Sequence, residues 1–181
     1  MFTGTTVKAQ ESVLYGFKAG VNFTNMKSDN FSESNTMTGL NLGLLAEIPL
    51  TNRFSLQPEV LYSTNGTDAD IIQYGGGPIS REYVLEYIKV PVLAKLFLTE
   101  SLSLEAGPSF NFLVNGKIDG EEEEYGSSFE LGGALGASYK FGGGFFGSVR
   151  YMQGLTDAFV RENYEYNIYN YGFQLGVGMM F

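Results

Sequence analysis

The side chains able to do chemistry in this chain are few, and their types narrow the reaction classes before any fold is considered. There is no His and no Cys among the 181 residues. A Ser–His arrangement, a thiolate nucleophile, a disulfide and the commonest metal ligands are therefore absent. What remains is carboxylate, ammonium and guanidinium. Two groupings stand out: nine charged residues spaced through the chain (Lys18, Glu47, Glu59, Lys89, Lys95, Glu105, Glu130, Lys140 and Arg150), and an acidic run of Asp119 with Glu121, Glu122, Glu123 and Glu124. The first grouping suits an ion path or a plug of salt bridges. The second suits a loop that holds or bridges through a divalent cation, or else a solvated acidic loop, since consecutive carboxylates lack the spacing of a defined site. Gly132-Gly133 with Gly136, and Gly142 to Gly144, are not followed by the Lys-Ser or Lys-Thr of a phosphate loop. Asn22-Phe23-Thr24 and Asn65-Gly66-Thr67 match the glycosylation triplet, a pattern with force only for a chain on a glycosylating secretory route.

The elements that carry these residues are strands. With 24 Gly, 12 Tyr and 15 Phe the composition favours strands and tight turns. No apolar run reaches the length of about 18 residues that a transmembrane helix needs. The last segment, Tyr169 to Phe181, sets Tyr169, Tyr171, Phe173, Leu175, Val177, Met179 and Phe181 on one face against Asn170, Gly172, Gln174, Gly176, Gly178 and Met180. The same period of two recurs in Tyr15–Thr24, Gly39–Leu50, Phe54–Ser63, Tyr83–Leu98, Leu102–Val114, Phe129–Phe141 and Phe145–Leu155. Short turns at 51–53, 99–101 and 142–144 alternate with long loops at 25–38, 65–80, 115–127 and 156–168. Strands of about ten residues, alternately linked by short turns and long loops, describe an all-β, eight-stranded antiparallel up-and-down transmembrane β-barrel. Residues 15–181 form this domain, and both termini lie on the short-turn side.

The nine spaced charges all fall on the polar face, whereas the apolar face holds none except Glu86, near a loop end. They are five basic and four acidic, a balance that a narrow interior requires because an unpaired buried charge costs several kcal/mol. A lipid-facing Arg or Lys at the bilayer midplane costs about 2–4 kcal/mol, which accounts for the uncharged face. The polar face is thus the interior and the apolar face meets lipid. A soluble barrel of lipocalin type carrying a hydrophobic ligand predicts the opposite placement. A barrel-embedded lipid-modifying enzyme is the other alternative, with no residue pattern in its favour. Tyr15, Tyr62, Tyr139, Tyr151, Tyr169 and Tyr171, with Phe141, Phe145 and Phe181, cluster near strand ends as interfacial girdles.

Taken together, YGFKAGVNFTN (Tyr15 to Asn25), FSLQPEVLYSTNG (Phe54 to Gly66), YIKVPVLAKLF (Tyr87 to Phe97), LEAGPSFNFLV (Leu104 to Val114) and RYMQGLTDAF (Arg150 to Phe159) resemble, in order, the strand signatures of the PorT-like outer-membrane β-barrel family of Bacteroidetes. The resemblance implies the bacterial outer membrane, no catalytic site and no cofactor. Lys18, Glu59, Lys89, Pro91, Lys95 and Arg150 match the pattern as interior positions. Phe181 at the very end of an unbroken apolar face resembles the C-terminal signal read by the barrel-assembly machinery. Val7-Lys8-Ala9 before Gln10 resembles a signal cleavage site, so residues 1–14 are expected to be the residual tail of a signal peptide and a short N-terminal extension. The expected partners are outer-membrane lipid and lipopolysaccharide, the assembly machinery during insertion, and a surface or secretion partner met by acidic loops. A net charge of −9 argues against nucleic acid. The barrel is expected to be a monomer.

Overall fold

The computed structural model describes residues 12–27, 34–72, 78–118, 121–122, 129–156 and 169–181. The described chain forms nine strands: β1 Leu14–Lys27, β2 Ser34–Pro49, β3 Phe54–Ile72, β4 Pro78–Phe97, β5 Leu102–Ile118, β6 Glu121–Glu122, β7 Phe129–Gly142, β8 Phe145–Gly154 and β9 Tyr169–Met180. Eight of them run in the order β4-β3-β2-β1-β9-β8-β7-β5, and β4 pairs with β5 to close the ring. Every pairing is antiparallel. Closure leaves no sheet edge within the wall, the condition a sheet must meet in lipid, where unpaired backbone groups find no water. The two-residue β6 is an appendage that pairs with the outer end of β5.

The seam between first and last strand is held at its short-turn end by the backbone of Tyr15 and Phe181. Tyr15 N donates to Phe181 O at 3.1 Å and Phe181 N to Tyr15 O at 2.8 Å. The turn joining β7 to β8 is three glycines with φ of 95°, 63° and 84°. Side chains rarely adopt that region, so this turn is built from the one residue that enters it freely.

Burial assigns the two faces without ambiguity. Leu40, Leu44 and Val177 are 65%, 68% and 66% exposed, whereas Lys18 and Arg150 are 0% and 1% exposed. The soluble, ligand-carrying barrel is thereby excluded, because its apolar face would be the buried one. At the short-turn end Tyr15, Tyr139, Phe141, Phe145 and Phe181 stand outward and exposed, and Tyr62 does so towards the long-loop end. Tyr151 packs on its cross-strand neighbour Phe173, with ring centroids 5.3 Å apart.

The strands are longer than the sequence periodicity suggests. The expected loop 65–80 is largely a hairpin: β3 and β4 stay paired from Asn65↔Leu85 out to Ile72↔Pro78. Backbone pairing continues there because the ladder needs no apolar face once the strands have left lipid, and Ile71, Ile72 and Ile79 are strand formers. β5 likewise continues to Ile118, β1 to Lys27, and β2 begins at Ser34. The expected signal tail, 1–9, and most of the expected loop 156–168 lie outside the described residues.

Pro58, Pro91 and Pro108 sit mid-wall on β3, β4 and β5. The β3–β4 ladder steps from Pro58↔Val92 to Leu61↔Lys89, and the β4–β5 ladder from Pro91↔Ser109 to Ala94↔Ala106. A proline has no N–H to give a ladder, and the interruption on the β3 side of β4 takes in Pro91 while that on the β5 side takes in Pro108.

Candidate functional site

All nine spaced charges reach the bore. Eight are buried, and Lys140 keeps 28% of its side chain exposed. They do not form one cluster but three layers along the barrel axis.

The central layer is built on Arg150 of β8. Its Nη1 and Nη2 donate to the two oxygens of Glu59 on β3, each at 2.9 Å, a bidentate fork. Its Nε donates to Glu105 Oε1 at 2.8 Å, and Nη2 lies 2.8 Å from the same oxygen. Lys18 Nζ is 3.8 Å from Glu59 and donates to Gln174 Oε1 at 2.8 Å. Two cations and two carboxylates thus balance. Lys18 fits because β9 carries a glycine beside it: a Cβ on Gly176 would lie 2.5 Å from Lys18 Cε and 3.1 Å from Ser148 Oγ. Glu105 Oε2, Asn41 Oδ1 and Ser148 Oγ are buried without a hydrogen-bond partner.

The base layer lies nearer the short turns. Glu47 of β2 accepts from Lys95 at 2.9 Å and from Lys140 at 2.8 Å. Lys95 also donates to Gln57 Oε1 at 2.9 Å, and Gln57 Nε2 donates to Glu59 at 2.6 Å, which ties the base to the centre. The ring of Phe97 lies under both ammonium groups, 5.5 Å from Lys95 and 4.7 Å from Lys140. Leu45, Phe146 and Met180 fill the bore beside this layer, with Leu14 against them.

The outer layer is amide-rich. Asn111 Nδ2 donates to Glu130 at 3.2 Å and the Tyr87 hydroxyl to the other Glu130 oxygen at 3.5 Å. Lys89 is 5.6 Å from the Tyr87 ring centroid. Asn22 donates to Ser63 Oγ at 2.8 Å and accepts from Gln174 at 3.1 Å and Asn41 at 2.9 Å. A cavity of about 20 Å³ opens among Asn22, Asn65, Lys89, Asn111, Glu130 and Gln174. At the opposite end, a larger cavity of about 390 Å³ lies between the short turns.

The uncharged members of this network are what charge-spotting misses. Gln57, Gln174, Asn22 and Asn41 share the parity of the bore but carry no charge, yet they connect the three layers. Asn22 and Asn65, the two glycosylation-like asparagines, point into the bore and are buried. Gly132, from the candidate phosphate loop, is in a strand and lines the smaller cavity. Glu86, the acid that parity sets on the outer face near a loop end, is matched by Lys117 of β5 at 3.2 Å. In the acidic run, Glu121 and Glu122 pair by backbone with Ile118 and Lys117, while Asp119, Glu123 and Glu124 lie outside the described residues. Among the described residues no three acidic side chains gather to hold a metal ion.

Chemically, the bore spends its charges on each other. Its carboxylates are cross-linked across the interior to Lys18, Lys95, Lys140 and Arg150 and to amides, Lys89 lies over the Tyr87 ring, and the two cavities are separated by the Arg150 layer.

Residues 8–160 match the family model described as outer membrane protein beta-barrel domain. No curated protein matches the chain. Among solved structures, Neisserial surface protein A is similar with a TM-score of 0.62 and 15% identity, over 94% of this chain and 100% of that one. Ail, the attachment invasion locus protein of Yersinia pestis, is similar with a TM-score of 0.55 and 14% identity, over 93% and 98%. Such identities speak for the shared barrel alone. With the family match over most of its length and the closed eight-stave wall, the chain belongs to the outer membrane protein β-barrel domain family and is a protein of the bacterial outer membrane.

Proposed function

We propose that this protein is a non-enzymatic, monomeric barrel of PorT-like, Bacteroidetes type whose bore does not conduct and whose outer loops do its specific work, adhesive or in contact with a surface or secretion partner. One observation carries the reading: Arg150 joins Glu59 and Glu105 across the middle of the bore. A charge-filled interior of eight strands has no room for a water column and no free pair of groups to share a reaction. The work is then left to what projects beyond the membrane. The residues between β5 and β7 hold Asp119 and Glu121 to Glu124, an acidic stretch suited to a basic surface or, through a divalent cation, to lipopolysaccharide. The likeness in fold to a protein named for attachment and to a surface protein agrees with this. The lipid surround is the outer membrane, reached through the barrel-assembly machinery after removal of a signal peptide that ends near Ala9.

The test compares the protein with a variant in which Asp119 and Glu121–Glu124 are replaced by Asn and Gln, both displayed on cells from the full-length precursor. The expected result is loss of binding to immobilised basic glycan-free protein surfaces and to lipopolysaccharide with calcium, and no current in planar bilayers from either protein. Steady ion current from the unaltered barrel, or hydrolysis of outer-membrane lipid by it, would overturn the reading.

A further inference from the structure

The larger cavity holds a lysine that its neighbours only partly satisfy. It lies at the short-turn mouth, the end that faces the periplasm in bacterial outer-membrane barrels, and is lined among others by Glu47, Asn52, Arg53, Phe97, Glu100 and Lys140. Two cations, Lys95 and Lys140, converge there on the single carboxylate of Glu47. Lys95 is 1% exposed and already gives Glu47 an ion pair and Gln57 a hydrogen bond. Lys140 is therefore the surplus cation. Its ammonium makes one hydrogen bond, to Glu47, and 28% of its side chain remains open to the cavity. At the rim, Arg53 makes no ion pair among the described residues, and Glu100 offsets it. The charged residues that line the mouth balance, Lys140 and Arg53 against Glu47 and Glu100, and because Lys95 beneath them already pairs with Glu47, Lys140 is the cation left with donors to spare.

We propose that the periplasmic mouth of the barrel is a binding site for carboxylates, either a free dicarboxylate or the acidic side chains of a periplasmic peptide. The volume of about 390 Å³ is in the range of small-ligand sites. Lys140 is preorganised for the task. The Phe97 ring beneath it fixes the ammonium, and Glu47 takes only one of its three protons, leaving two donors for an incoming carboxylate. Arg53, on the turn between β2 and β3, is placed to close over a second carboxylate with its guanidinium fork. A cation has no such place here, because the one buried acid is already shared by two lysines. The occupant is thus selected by sign as well as by size.

The experiment uses the full chain in lipid nanodiscs, titrated by calorimetry and by ¹⁵N–¹H spectra with succinate, with N-acetyl-Glu-Glu-Glu-amide, and with the Gln counterpart as control. Saturable binding of at least one carboxylate probe is expected, with shifts confined to residues around Lys140 and Phe97, and none with the Gln peptide. Lys140→Gln and Arg53→Gln should each raise Kd about fivefold, Glu100→Gln should lower it, and salt raised from about 0.1 M to 0.5 M should weaken it. Preference for succinate identifies a free dicarboxylate; preference for the Glu peptide identifies a peptide segment. Lys140→Gln leaves Glu47 paired to Lys95, and a heat-dependent gel shift verifies its fold. Arg53→Gln, on an exposed turn, gives the same reading if that variant fails to fold. Equal binding of the Gln peptide, no saturation by millimolar probe, or affinity unchanged in both variants would overturn the proposal.

Discussion

Arg150 and Glu59 stand on opposite staves of the barrel. Counting along the wall, β8 is reached from β3 in four steps through β2, β1 and β9, and in four through β4, β5 and β7. Their bidentate pair at 2.9 Å therefore spans the bore at its widest. Lys140 of β7 and Glu47 of β2 are related in the same way, at 2.8 Å.

Arg150→Met should be strongly destabilising. It leaves Glu59 and Glu105 buried with their main cation gone, a change worth about 3–5 kcal/mol. Denaturant unfolding followed by the heat-dependent gel shift measures it. Arg150→Met combined with Glu59→Leu, Glu105→Leu and Lys18→Met is expected to recover most of the loss, since replacing both cations and both carboxylates of the layer leaves no charge behind. An additive quadruple variant would show that the layer is not a unit.

Gly176→Val should also destabilise, by about 1–3 kcal/mol, through overpacking. A Cβ there lies 2.5 Å from Lys18 Cε, so Lys18 has to leave Gln174. Adding Lys18→Ala should relieve the clash, and the melting temperature of the double variant should lie above that of Gly176→Val alone.

On the outside, Leu44→Arg is expected to cost about 2–4 kcal/mol in a bilayer. Leu44 is the middle residue of the outward row Leu40, Leu42, Leu44, Ala46 and Ile48, and is 68% exposed. The penalty should shrink in detergent micelles, where water reaches the guanidinium. An equal effect in both media would place Leu44 away from the bilayer centre.

Phe181→Ala should slow insertion in cells more than refolding in detergent. In the fold its backbone only closes the seam with Tyr15, at 3.1 and 2.8 Å, which alanine also does. If the assembly machinery reads the Phe181 side chain, as the resemblance to a C-terminal signal implies, that reading is what the substitution removes. Pulse-chase kinetics of the heat-modifiable form in cells check this; unchanged kinetics would leave Phe181 with an interfacial role only.

Much of this was legible because a strand has a period of two and the bilayer punishes a misplaced charge. Lys18, Glu59 and Arg150 were assigned to the bore from parity alone. Who pairs with whom was not legible, because Arg150 meets Glu59 through the shear and diameter of the closed ring. The roles of Gln57 and Gln174 were hidden for another reason: uncharged amides leave no signature in a charge count. The hairpin beyond Asn65 escaped because its backbone pairing runs on through residues where Thr67, Asp68 and Asp70 break the apolar alternation of the sequence.

The cross-bore pairs also bear on how the molecule can be made. A half-built sheet holding β3 but not β8 would carry Glu59 without Arg150, and one holding β2 but not β7 would carry Glu47 without Lys140. In hydrocarbon each such intermediate holds a carboxylate short of its cross-bore cation, so a hairpin-by-hairpin entry into the membrane climbs in energy until the ring shuts. Curling ahead of full immersion avoids that climb, and makes ring closure, rather than any local turn, the step that commits the chain to its native state.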